Sequence, residues 1–122
     1  MERQITIYTE FYERDGRKEW KYQGSLHRRN GPAVVWDNGA YEYYILGNRH
    51  REDGPARLLP SGIIEYYQFG NLHREDGPAV IYPTGEEEYW LRGKHFTKEE
   101  YYNTAYWVNT GVATREEFEL IQ

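Results

Sequence analysis

Cysteine is missing altogether from the 122 residues, which excludes disulfide stapling, thiolate catalysis and thiolate metal sites. Long apolar runs are missing too. No stretch approaches the roughly 20 residues of a membrane span, and Met1-Glu2-Arg3-Gln4 leads into no apolar signal segment. The reading is a soluble, cytoplasmic protein with no membrane partner. Nor is there an excess of positive charge: the formal net charge is −5, and the first 24 residues are balanced. The molecule as a whole offers no field for a polyanion, which disfavours nucleic acid as a partner. Nucleophile elbow, P-loop, dinucleotide fingerprint and zinc-protease helix are all absent, so the expectation is a non-enzyme without a cofactor.

Aromatic residues are abundant. They make up 17% of the sequence, with 13 Tyr and 4 Trp, while the apolar fraction is only 39%. Such a composition favours strands. The length corresponds to one domain, residues 1–122.

A repeat organises the sequence. Gly47-Asn48-Arg49-His50-Arg51-Glu52-Asp53-Gly54-Pro55-Ala56 returns 23 residues later as Gly70-Asn71-Leu72-His73-Arg74-Glu75-Asp76-Gly77-Pro78-Ala79, and an earlier copy runs from Gly24 to Ala33. The same period links Asp15-Gly16, Asn38-Gly39, Ser61-Gly62 and Thr84-Gly85, each between two strand-like runs. Each repeat therefore reads as a β-hairpin. Pro60-Ser61-Gly62 and Pro83-Thr84-Gly85 suit a type I turn closed by a left-handed glycine, a G1 bulge, and Asp37-Asn38-Gly39 fits the same form. In the connecting His-Arg-x-Asp/Asn-Gly-Pro segments the glycine is expected to relieve the backbone. The prediction is a mainly β fold: an antiparallel meander of about eight short strands, four hairpin repeats over residues 5–96, with a helical cap over 97–122.

The cap begins where the period breaks. Thr97-Lys98-Glu99-Glu100 is a capping box opening a helix to about Val108, and Thr114-Arg115-Glu116-Glu117 opens a second through Leu120. Tyr101, Tyr102, Ala105, Tyr106 and Val108, with Phe118 and Ile121, are expected to cover the last strands.

Alternation sorts the strand residues into faces. Tyr12, Val35, Leu58 and Ile81, with Trp20, Tyr43, Tyr66 and Tyr89, form the predicted packed face. The other face carries Trp36, Tyr44, Arg57, Tyr67, Tyr82 and Trp90 beside a column of Glu19, Glu42, Glu65 and Glu88. Large aromatics flanked by charge are what binding hot spots use, so these six are the candidate partner-binding residues; the alternative is that the sheet curls and both faces are partly buried. The Glu column, evenly spaced in like surroundings, is read as salt bridges rather than a catalytic pair. His27, His50 and His73 are too far apart, two strands per step, to share a metal ion, and are expected to hydrogen-bond the Asp or Asn three residues on. Arg28, Arg51 and Arg74 form a second row, an alternative site for a small anionic ligand or single-stranded nucleic acid, although acidic neighbours such as Asp53 and Asp76 offset it. An exposed first strand around Ile5 to Tyr12 offers a route to a homodimer.

Gly-x-x-His, the Glu-Tyr pairs and the 23-residue period resemble the MORN repeat over roughly residues 9–96. The resemblance is closer to the divergent variant found in YwqK-type antitoxin-like proteins and small phage proteins; Arg28, Arg51 and Arg74 follow the His where standard MORN repeats have Gly, a departure that bears against the lipid-binding role sometimes attached to MORN proteins. It implies a hairpin array used for protein contacts: a phage or mobile-element inhibitor of a bacterial toxin or defence component. The acidic charge would suit a basic target such as a nuclease.

Overall fold

The architecture is set by turns of two kinds alternating along the sequence. In this computed structural model, which describes residues 9–109, the first kind is the three-residue loop. At Asp37-Asn38-Gly39 the Gly39 amide donates to Trp36 O at 2.9 Å, the Trp36 amide donates to Ala40 O at 2.9 Å, and Gly39 has φ +92°. Gly62 and Gly85 repeat this pattern, as the type I turn with a G1 bulge requires.

The second kind was not anticipated. Gln23-Gly24, Leu46-Gly47, Phe69-Gly70 and Arg92-Gly93 are two-residue turns in which both residues have positive φ, the type I′ geometry. Each repeat therefore contains two hairpins, and fourteen strands are described where about eight were expected. At the N-terminal end β1 (Glu10–Arg14) and β2 (Arg17–Tyr22) are followed by β3 (Ser25–Leu26). The next repeat supplies β4 (Val34–Trp36), β5 (Tyr41–Glu42), β6 (Tyr44–Ile45) and β7 (Asn48–Arg49). Its successor supplies β8 (Arg57–Leu58), β9 (Ile64–Glu65), β10 (Tyr67–Gln68) and β11 (Asn71–Leu72). Last come β12 (Val80–Ile81), β13 (Glu87–Leu91), β14 (Lys94–Phe96) and a helix, α1 (Lys98–Asn109).

The main sheet is antiparallel and follows the order β1-β2-β4-β5-β8-β9-β12-β13-β14, with β3 paired to β2. The pairs β6-β7 and β10-β11 stand outside it. The switch happens within one residue: the Tyr43 amide donates to Ala56 O of the next repeat at 2.7 Å, while Tyr43 O accepts from the His50 amide of its own hairpin at 3.1 Å. Tyr66 does the same with Ala79 and His73. Each long strand thus serves the main sheet with its first half and a side hairpin with its second.

The expected faces hold from β2 onward, because Val34 pairs with Glu42 and Arg57 with Glu65, while Val35 pairs with Tyr41 and Leu58 with Ile64. Tyr12 is a correction. It sits opposite Glu19, and Phe11 opposite Trp20, so Tyr12 belongs to the Glu face. The reason is the Asp15-Gly16 turn, which has two residues where the equivalent loops have three, and one residue of register moves every side group to the opposite face of the sheet.

Burial is shared between the two faces, as in the alternative of a sheet with both sides partly covered. Val34 and Val80, 3% exposed, and the Glu19 and Glu42 residues lie buried on the face taken as open, whereas Val35, Leu58 and Ile81 are only half-buried. Long Arg and Tyr residues fold over the Glu face, so neither face is simply outside. The largest buried apolar cluster described, Tyr89, Leu91, Phe96 and Tyr101, lies where the array meets α1.

The capping box forms as predicted: the Glu100 amide donates to Thr97 Oγ1 at 3.1 Å, and the Thr97 amide donates to Glu100 Oε1 at 2.9 Å. Tyr101 is 1% exposed, and its ring lies 4.8 Å from that of Tyr89, whereas Tyr102 is exposed. The expected second helix at 114–120, and the packing of Phe118 and Ile121, lie outside the described residues. No described helix is long and apolar enough to cross a membrane.

Candidate functional site

On the Glu face each carboxylate is a hub. Glu42 accepts from Arg49 Nε at 2.9 Å and from the Tyr44 hydroxyl at 3.1 Å, and Arg57 Nε lies 3.1 Å from the same oxygen. Arg57 also donates through Nη1 to Glu65 Oε1 at 3.1 Å, linking two repeats. Glu65 receives the Tyr67 hydroxyl at 3.4 Å, and Glu88 receives Tyr82 Oη at 2.5 Å and Trp90 Nε1 at 2.9 Å. Glu19 pairs with Arg14 at 3.0 Å and Arg17 at 3.5 Å. All have an ionised acceptor, and the closest of them, from Tyr82, Trp90 and Arg49, are at the distances of charge-assisted hydrogen bonds.

The titration behaviour follows from those contacts. Burial, reinforced by the charge of Glu42, pushes the Tyr44 phenol above its ordinary value, and burial with Glu65 does so for Tyr67. The hydrogen bond to Glu88 raises Tyr82 and lowers Glu88 in return.

Five of the six candidate residues are thus drawn into the Glu column, Tyr44, Arg57 and Tyr67 around Glu42 and Glu65, and Tyr82 and Trp90 around Glu88, while Trp36, opposite Arg17, shares the face. All six are half-buried. The polar atoms of Tyr44, Tyr67, Tyr82 and Trp90 bond glutamates of the column, which leaves ring surface as what these four can offer a partner. Arg49 was missed by the sequence reading. Its guanidinium lies 5.7 Å from the Tyr44 ring centre and 5.4 Å from that of Tyr67, between the two. The signal was present, since Arg49 stands where the neighbouring repeats have Leu26 and Leu72.

The opposite side of the sheet is covered by the connecting loops. Arg28 lies 3.8 Å from the Trp20 ring centre, Arg51 4.1 Å from Tyr43 and Arg74 4.0 Å from Tyr66. Each also donates through Nη1 to the carbonyl of the loop proline, Pro32, Pro55 or Pro78, at 3.0 to 3.2 Å. Arg51 and Arg74 are further tied to Asp53 and Asp76. The rings beneath this row are therefore already stacked by its own guanidiniums. At the end of the array Tyr101 takes over the covering role on Tyr89, its hydroxyl donating to Arg74 O at 2.6 Å and accepting from the Gly77 amide at 3.0 Å.

The loop glycine has a different task from the one expected. Gly31 and Gly54 do not have left-handed φ, and Gly77, at +159°, is extended. What requires glycine is space: a Cβ at these positions would lie 3.2, 3.0 and 3.0 Å from the Cζ of Arg28, Arg51 and Arg74.

The histidines are structural but bond a different partner from the one expected. His27 Nδ1 accepts from the Leu46 amide at 2.8 Å, His50 Nδ1 from Phe69 at 3.1 Å and His73 Nδ1 from Arg92 at 2.9 Å. Each donor is the first residue of the next repeat's two-residue turn, held at φ +47° to +53°. A non-glycine residue is strained there, and the imidazole satisfies the amide that the turn exposes. The Asp residues three positions after His50 and His73 bond the arginines instead. No group of three or more potential metal ligands occurs among the described residues.

β1 lies at one end of the main strand order with all five residues exposed, so part of the expected dimerisation strand is seen; residues 5–8 lie outside the described residues. No protein-family model matches the sequence, and no curated protein or solved structure matches it either.

Proposed function

We propose that this protein is a non-enzymatic, MORN-like repeat module that binds a protein partner through the Glu face, by way of Trp36, Tyr44, Arg57, Tyr67, Tyr82 and Trp90. The observation that carries the reading is that Tyr44, Tyr67, Tyr82 and Trp90 are each fixed by a hydrogen bond to a Glu of the column. Rings already held in place lose little conformational freedom when a partner covers them, and this preorganisation is what turns aromatic surface into affinity. The same carboxylates are occupied as hydrogen-bond hubs, which argues against a role in acid-base chemistry.

The finer reading is an inhibitor encoded by a phage or mobile element, acting in the bacterial cytoplasm on a toxin or defence component. The net charge of −5 favours a basic target such as a nuclease. A ligand row along Arg28, Arg51 and Arg74 has less support, because those guanidiniums stack on Trp20, Tyr43 and Tyr66.

The test is affinity capture from a bacterial lysate at low and high salt, with the Trp36→Ala, Tyr67→Ala, Trp90→Ala triple variant beside the native protein. A protein retained at high salt and lost in the triple variant, while Trp36→Ala alone keeps the native circular dichroism spectrum and weakens capture, is the expected outcome. Recovery of nucleic acid alone, or a partner that the variants hold equally well, would overturn the reading.

A further inference from the structure

The loop side contains one place where the repeat breaks its own pattern around a buried donor. In the second and third repeats the outer nitrogen of the histidine faces the carboxylate two residues on: His50 Nε2 lies 3.7 Å from Glu52 Oε1, and His73 Nε2 lies 3.3 Å from Glu75 Oε1. In the first repeat the equivalent of those glutamates is Arg29. His27 is 5% exposed, and its Nε2 has no hydrogen-bond partner among the described residues.

The protonation state of that nitrogen is fixed by the other one. Because His27 Nδ1 accepts from the Leu46 amide, the ring proton of the neutral imidazole resides on Nε2, making it a donor. A buried donor left unmatched is costly, and its position calls for an acceptor. The ring lines a cleft of about 230 Å³ whose other walls are Thr9, Trp20, Arg28, Arg29 and Asn30. Arg29 is exposed, and among the described contacts it has no carboxylate partner.

We infer that the cleft at His27 binds a carboxylate from outside the repeat array, in the place that Glu52 and Glu75 fill from within. His27 Nε2–H donates to one oxygen, and the Arg29 guanidinium neutralises the charge. The ligand class follows from the neighbouring repeats, where the group at this nitrogen is a carboxylate. Sources of that chemistry are a small carboxylic acid, an Asp or Glu of a partner protein, or the C-terminal carboxylate of a polypeptide.

The experiment follows the imidazole resonances of the nitrogen-labelled protein by long-range proton–nitrogen NMR during titration with sodium acetate at constant ionic strength. The expected result is a saturable shift of His27 Nε2, with His50 and His73 unmoved. Arg29→Glu supplies the repeat's own carboxylate and lowers acetate affinity by about tenfold or more. Glu52→Arg, a change at an exposed position, creates the same response at His50. N-acetylglutamate α-amide and N-acetylalanine then distinguish side-group from C-terminal sources by which binds more tightly than acetate. Equal shifts at all three histidines, no shift at His27, or inorganic phosphate binding more tightly than every carboxylate would each overturn the inference. A silent His27 would mean that its N–H is satisfied by the Tyr22 ring, whose centre lies 5.7 Å away.

Discussion

Replacing Gly54 by Ala should destabilise the protein through Arg51 and not through the backbone. A Cβ at Gly54 would lie 3.0 Å from Arg51 Cζ and 3.3 Å from its Nε and Nη1, so the guanidinium must give by a few tenths of an ångström. The most this displacement can cost is the stacking on Tyr43 at 4.1 Å, worth about 0.5–2 kcal/mol, together with the charged hydrogen bond to Pro55 O at 3.0 Å, worth about 1.5–3 kcal/mol. The Asp53 contact adds little because Asp53 is exposed. Against this stands a gain of about 0.4–1 kcal/mol, because alanine restricts the unfolded state at a position whose φ it tolerates. Complete displacement would therefore cost about 1–5 kcal/mol net, and Gly54→Ala, which demands only a small shift, should fall at the low end, about 1 kcal/mol. With Arg51→Ala already in place, the same change should cost nothing or stabilise slightly. Urea unfolding of the four proteins in this double-mutant cycle, followed by intrinsic fluorescence, measures the coupling. Gly47→Ala is the control: φ there is +84°, and the loss should be about 1 kcal/mol whether or not Arg51 is present. If Gly54→Ala costs as much without Arg51 as with it, the spatial explanation for the glycine is wrong.

His50→Ala should cost about 0.5–1.5 kcal/mol by removing the hydrogen bond to the Phe69 amide, with faster hydrogen exchange at Phe69 as its local signature; unchanged exchange would refute the link. Thr97→Ala should cost about 1 kcal/mol and loosen α1, visible as lost helical circular dichroism. On the alkaline side, Tyr44, Tyr67, Tyr89 and Tyr101 all have raised values in the fold. Their contribution is complete below the unfolded value of about 10 and is lost as pH rises through the folded values, so the thermal midpoint should fall there as phenolate absorbance grows. On the acid side Glu88 is lowered, so its contribution is present above the unfolded carboxylate value and disappears as pH falls through the folded one; Tyr82→Phe should shrink that acid limb.

Period and alternation made much of the fold readable. The Pro-x-Gly loops, the capping box and the side of the sheet on which Trp36, Tyr44 and Arg57 stand all follow from local chemistry and the two-residue pleat. What was hidden depends on contacts distant in sequence. Leu46, Phe69 and Arg92 are poor first residues for a type I′ turn, and the amide of each is bonded by the imidazole of a histidine 19 residues earlier, a contact that local sequence does not reveal. The glycine of the loops looked like a turn residue because glycine in loops usually is one, whereas here it makes room for a guanidinium. Tyr12 was misplaced because the first hairpin has a shorter turn than its successors, a difference that spacing alone shows only when the turn type is known. The six candidate partner-binding residues share a face, yet their hydrogen bonding into the Glu column depends on side-group reach that a pattern of apolar and polar letters does not encode.

In an array whose copies meet the same neighbours, departures from the repeat carry more information than the repeat itself. Arg49 and Arg57 replace the Leu and Val of adjacent copies, and both converge on Glu42, so a pair of substitutions is matched by one buried carboxylate. Phe96 stands where the other repeats have histidine, and it joins Tyr101 in the cluster that closes the array. These departures are answered from within the described structure. Arg29 is not: it removes the carboxylate that His50 and His73 enjoy and leaves the His27 donor unmatched beside a second positive charge. A substitution that costs the fold a hydrogen bond without an internal return is better explained by a ligand that restores it, and that argument directs attention to the first repeat for a binding function beside the aromatic face.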